Sequence, residues 1–99
     1  MADYDLVVSE TADQHLENIY RYGFKNFGPR IADEYMLAII DQFDLICDNP
    51  ELYPNVEDLL PNLRRCVCNK HSIYYRIIGD TVEIMAVIGR QDIERILSS

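Results

Sequence analysis

The sequence has no tryptophan, only four glycines and four prolines, and an odd number of cysteines, Cys47, Cys66 and Cys68. A disulfide framework needs an even number and a secreted setting, so free thiols are expected. No apolar run approaches the roughly 18 residues of a membrane span, and residues 1–5 lack the basic-then-apolar order of a signal peptide. Together these absences predict a cytoplasmic chain with no membrane partner. Disorder and collagen-like structure are excluded by 48% apolar and 26% charged residues. At 99 residues there is room for one hydrophobic core, so a single domain over residues 1–99 is expected.

Positive charge is also scarce. The net charge is −8, and residues 1–63 contain only Arg21, Lys25 and Arg30 against thirteen carboxylates. Residues 64–99 are slightly basic, with six Lys or Arg and four Asp or Glu. An acidic chain repels polyphosphate, which disfavours sequence-specific nucleic-acid binding and leaves room only for a small cationic site near the C-terminus.

What is present reads as alternating patterns. Residues 4–9 are short, β-branched and aromatic, the signature of a strand. Ser9 or Thr11 can cap a following helix, and Thr11 with Gln14 fits a capping box. Ala12, Leu16, Ile19, Tyr20, Gly23 and Phe27 then recur every three or four residues, predicting one apolar helix face. Gly28-Pro29 ends that helix and opens a second, which Asn49-Pro50 stops near Asp48. Its apolar set (Ile31, Tyr35, Ala38, Ile39, Phe43 and Ile46) is widened by Met36, Leu37, Ile40, Leu45 and Cys47. That width predicts contact on two sides.

After a proline-containing connection come strand-like runs at 63–69, 72–78 and 81–88, joined by hairpin-sized turns at Lys70-His71 and Gly79-Asp80. Residues 91–97 have the spacing of a short C-terminal helix. The expected class is α+β in the order β-α-α-β-β-β. A helical hairpin would lie on one face of a small, mostly antiparallel sheet. Such a sheet is sheltered on one side only. Ile73, Tyr75 and Ile77 alternate with Tyr74, Arg76 and Ile78, and Val82, Ile84, Ala86 and Ile88 alternate with Thr81, Glu83, Met85 and Val87. Large apolar groups on both faces predict a half-open patch that needs a partner. One of Tyr74 and Tyr75 should be core and the other an exposed platform.

Several constellations carry no chemistry. Cys66 and Cys68 with His71 lack the further ligands of a metal site, so they read as core thiols, and no metal or cofactor is expected. His15 reads as a helix-surface residue and His71 as a turn residue. No phosphate-cradling glycine loop or nucleophile elbow is present.

Leu63-Arg64-Arg65, His71-Ser72-Ile73-Tyr74-Tyr75-Arg76 and Val87-Ile88-Gly89-Arg90-Gln91-Asp92 resemble the C-terminal signature of the RelE/ParE toxin superfamily, closest to its ParE branch. Ile19, Tyr20, Gly28, Ala32, Tyr35 and Asn49-Pro50 agree with that likeness. The resemblance implies the toxin of a type II toxin–antitoxin module that inhibits DNA gyrase by binding. A cognate ParD-like antitoxin would neutralise it in a hetero-oligomer. It places target or antitoxin contacts at Arg64, Arg65, Tyr74, Arg76, Met85, Arg90, Gln91 and Asp92. An alternative is a RelE-like, ribosome-dependent mRNA endoribonuclease using Arg64, Arg65, Arg76 and Arg90, although residues 91–99 contain no Tyr, His or Lys to move a proton. A third reading is a non-toxic remnant that only binds antitoxin.

Overall fold

The first helix begins where Ser9 can cap it. In a computed structural model describing residues 4–89, the Ser9 hydroxyl accepts a hydrogen bond from the Ala12 amide at 3.1 Å, satisfying one of the unpaired donors at a helix start. The expected Thr11–Gln14 box is not used, since Thr11 already lies inside the helix. The elements are β1 (Asp5–Val8), α1 (Glu10–Phe27), α2 (Pro29–Asp48), β2 (Arg64–Cys68), β3 (His71–Ile78) and β4 (Thr81–Gly89). Glu10 and Asp13 in the first turn of α1 and Lys25 in its last complement the helix dipole.

A single residue, Gly28, separates the two helices. Its φ of 89° is open to glycine and strained for other residues, and Pro29 starts α2 immediately after it. Close approach of the helices continues at Gly23, where an added Cβ would sit 3.5 Å from Ala32. Tyr20 ties the pair from outside, donating its hydroxyl to Asp33 Oδ1 at 2.7 Å.

The four strands form one sheet in the order β1-β4-β3-β2. β1 runs parallel to β4, whereas β3 is antiparallel to both β4 and β2. The core lies between this sheet and the helical hairpin. Ala12 from α1 and Ile39, Phe43 and Ile46 from α2 pack on Cys66, Ile73, Tyr75, Val82, Ile84 and Val87. Fully burying one such side chain is worth about 1.5–3 kcal/mol. The α+β order and one-sided helix layer agree with the pattern of the sequence. The expected C-terminal helix falls outside the described residues.

Several sequence expectations are corrected. Phe27, read as facing inward, is exposed, and so are Leu37, Ile40 and Leu45, read as a second contact side of α2. The core is reached by α1 up to Ile19 and by α2 from Tyr35 onward, so both helices overhang at their shared tip. The β2–β3 turn is Asn69-Lys70, one residue earlier than expected, with Asn69 in the left-handed region at φ 57°.

The strand alternation on β4 also breaks. Tyr75 pairs with Ile84 but Tyr74 pairs with Ala86, leaving Met85 as an extra, bulged residue. Beyond the bulge the phase reverses, so Val87 joins Ile84 in the core while Ala86 leaves it. Two residues at the start of α1 bind the backbone released there. Ser9 donates its hydroxyl to the Met85 carbonyl at 3.1 Å, and Nδ1 of His15 accepts from the Val87 amide at 3.2 Å. His15 is therefore a half-buried anchor and not a surface residue.

Candidate functional site

The four arginines of interest divide by strand position. Side chains alternate across a strand, so Arg64 shares the helix-covered side with Cys66 and Cys68, while Arg65 and Val67 face the other side. On β3, Ser72, Tyr74, Arg76 and Ile78 share that side, the helix-free side among the described residues. The register sets Arg65 opposite Tyr74, Tyr74 opposite Ala86, and Arg76 opposite Glu83.

Each arginine then has different work. Arg64 Nη1 donates to the carbonyls of Tyr53 at 2.6 Å and Glu51 at 3.2 Å, pinning the α2–β2 connection against the sheet edge. Arg76 Nε meets Glu83 Oε1 at 2.7 Å across the β3–β4 pair. Arg65 is half-buried, and although its amide donates to the Pro54 carbonyl at 3.1 Å, its guanidinium has no hydrogen bond or ion pair among the described residues. Arg90, Gln91 and Asp92 lie outside the described residues. Of Arg64, Arg65 and Arg76, two are therefore engaged in holding the fold, leaving Arg65 as the uncommitted one of the three.

Tyr74 and Tyr75 point to opposite faces, yet neither is an exposed platform. Tyr75 is buried in the core, donates its hydroxyl to the Pro50 carbonyl and meets Tyr53 edge-on at 6.5 Å. Tyr74 is only 3% exposed on the helix-free side, and its buried hydroxyl has no hydrogen-bond partner among the described residues. Leaving a buried hydroxyl unpaired costs about 1–3 kcal/mol. Around it the face is uneven: Ser72 is buried, Met85, Ala86 and Ile88 are half-buried, and Val7, Val67 and Ile78 are exposed. This is a recessed phenol beside a guanidinium, bordered by aliphatic side chains. The phenol hydroxyl is closed to solvent, so a partner meets the Arg65 guanidinium and the exposed aliphatic side chains.

The opposite side of the sheet carries titratable groups too, but these serve the fold. The Tyr35 hydroxyl lies 2.6 Å from His71 Nδ1, fastening α2 to the start of β3. This cross-element contact was missed by reading His71 as a turn residue. Gln42 donates to the Tyr53 hydroxyl at 3.1 Å. Burial pushes the phenols of Tyr75, Tyr35 and Tyr53 and the thiols of Cys66, Cys68 and Cys47 above their ordinary pKa values. For Tyr75 the nearby Arg64 charge offsets part of that rise. Such groups are held neutral, a poor state for nucleophiles or metal ligands.

The same shifts set a pH dependence. Each group resists ionisation when folded and ionises at its ordinary pKa when unfolded, about 8.5 for thiols and about 10 for phenols. Their stabilising effect is complete below those values and is lost as pH rises toward the folded ones. Urea midpoints should fall progressively between about pH 8.5 and pH 11. A midpoint constant across that window would contradict the burial of these groups.

Comparison with known proteins places this geometry. Over residues 6–94 the sequence matches the family described as ParE toxin of the type II toxin–antitoxin system parDE. Toxin ParE1 of Mycobacterium tuberculosis, in strains CDC 1551 / Oshkosh and ATCC 25618 / H37Rv, is 26% identical over 91 residues, covering 90% of this chain and 93% of that protein. A solved chain of the chromosomal ParDE TA system from P. aeruginosa has the same fold, with a TM-score of 0.79 at 18% identity. That match covers 90% of this chain and 98% of the other.

Proposed function

Because the chain belongs to the ParE toxin family of type II toxin–antitoxin systems, we propose that it inhibits DNA gyrase by binding in the cytoplasm and is neutralised by a ParD-like antitoxin. The observation that carries this reading is the Arg65 guanidinium, half-buried and without a partner among the described residues. An unpaired cation at an apolar face is completed by a protein segment that supplies a carboxylate. Exposed Val67 and Ile78 border it with apolar contact area. Arg65, Arg76 and Met85 belong to the proposed surface with Tyr74 beneath it; Arg90, Gln91 and Asp92, proposed with them, lie outside the described residues. Arg64 contributes indirectly, by fixing the α2–β2 connection.

The separation of the arginines supports binding over phosphate chemistry. Cleaving a phosphodiester calls for cations converging on one oxygen. Here Arg64 is held on the opposite side by backbone carbonyls, and Arg76 is neutralised by Glu83. The antitoxin partner draws support from the ParDE complex whose chain shares this fold.

The test is a supercoiling assay with purified gyrase and the full chain. Inhibition is expected, with relief when the antitoxin is co-purified. Arg65→Glu should raise the half-inhibitory concentration by about tenfold or more, since reversing an interface charge typically costs upwards of 1.4 kcal/mol. Unimpaired supercoiling together with rapid mRNA loss in induced cells would overturn the proposal.

A further inference from the structure

The tip of the helical hairpin has no role in the surface described above, yet it concentrates what the rest of the N-terminal two-thirds lacks. All three Lys or Arg residues of positions 1–63 lie between residues 21 and 30, inside an acid-free stretch from Asn18 to Ala32. The same stretch carries Tyr22, Phe24 and Phe27, which are 66%, 51% and 62% exposed. Tyr22 and Phe27 meet edge-on at 6.4 Å, and Tyr20 and Phe24 tilt together at 6.2 Å, giving two ring pairs at the end of one helix. With the last core contact of α1 at Ile19, the eight residues to Phe27 carry these ring pairs roughly 12 Å along the helix beyond it. Arg21 is engaged with Glu17 at 2.8 Å, whereas Lys25 and Arg30 have no partner among the described residues.

Exposed aromatic rings at this density mark a contact surface. We propose that the hairpin tip is a second docking site, whose occupant is an acidic protein segment bearing apolar side chains. Charge selects the partner. The tip is a cationic, aromatic island on an acidic chain, so its complement is negative and partly apolar. Geometry selects a segment over a surface or a polyanion. A bilayer is broad enough to face the carboxylates of Glu17, Asp33 and Glu34 behind the tip, whereas a narrow segment stays within one screening length, about 8 Å, of Lys25 and Arg30. Two uncommitted cations release too few counterions to hold a nucleic-acid strand.

Fluorescence anisotropy of a labelled peptide alternating Glu with Leu and Phe, titrated with the full-length chain, tests this directly. Binding is expected, weakening with added salt and lost for the peptide with Gln in place of Glu. The double substitution Lys25→Glu and Arg30→Glu should weaken it by about tenfold or more. Both positions are exposed, and Glu loses the dipole contribution of Lys25 at the end of α1 while gaining one at the start of α2, so the thermal midpoint should move by only a few degrees at most. Arg65→Glu should leave peptide binding intact, which separates this site from the gyrase-directed face. Equal affinity for the Gln peptide, or no binding to either, would overturn the proposal. So would preferential binding to phosphatidylglycerol-containing vesicles or to an oligothymidine strand.

Discussion

Phe43→Ala is expected to destabilise the fold by about 3–5 kcal/mol. Phe43 is 3% exposed in the middle of the core face of α2, between the buried positions Ile39 and Ile46. Truncation removes its transfer free energy and leaves a cavity that a helix and a sheet, each held by its own backbone bonds, close only partly. Domains of this size are stable by about 5–15 kcal/mol, so the loss is a large share of the total. Urea denaturation at neutral pH measures it, through a lower midpoint at constant slope. A change below about 1 kcal/mol would mean that Phe43 does not sit in a close-packed interior.

The second large effect concerns the β4 bulge. Ser9→Ala removes the α1 cap and the donor to the Met85 carbonyl, and should cost about 1–3 kcal/mol. His15→Leu leaves the Val87 amide without its acceptor, at a similar cost of about 1–3 kcal/mol. Both side chains bind the same irregularity from the same helix end, so their effects should not add. Once one anchor is lost the bulge is free to relax, and the second substitution should then cost less than it does alone. A double-mutant cycle by denaturation measures the coupling, expected at about 0.5 kcal/mol or more. Strict additivity would show that the two anchors act independently.

The local punctuation of this fold was legible in the sequence because its causes are local. Gly28-Pro29, Asn49-Pro50 and Gly79-Asp80 act through their own dihedral angles, and the helix and strand boundaries they predict agree with the structure. The bulge at Met85 was not legible. Its stabilising partners lie at Ser9 and His15, more than seventy residues away, and the continuous apolar run from Ile84 to Ile88 gives no sign of where the phase changes. Phe27 misled for the opposite reason: its spacing is that of a core residue, but the sheet does not extend beneath it. Among the site residues, Arg64, Arg65 and Arg76 could be picked out as cations but not told apart. Their roles depend on which side of the strand each occupies and on carbonyls or carboxylates brought in from elsewhere.

The pairing of β1 with β4 dictates when this protein can come into being. The opening strand finds its only hydrogen-bonded neighbour in the final strand of the described fold, and Ser9 binds Met85 across 76 positions. The helical hairpin can assemble early from nearby contacts, but the sheet is incomplete until β4 has been synthesised and inserted between β1 and β3. A nascent chain stalled after β3 would therefore present helices and a β2–β3 ribbon without the central strand that joins them. That order is a form of timing: the sheet that carries Arg65, Tyr74 and Arg76 is unfinished until β4 has emerged.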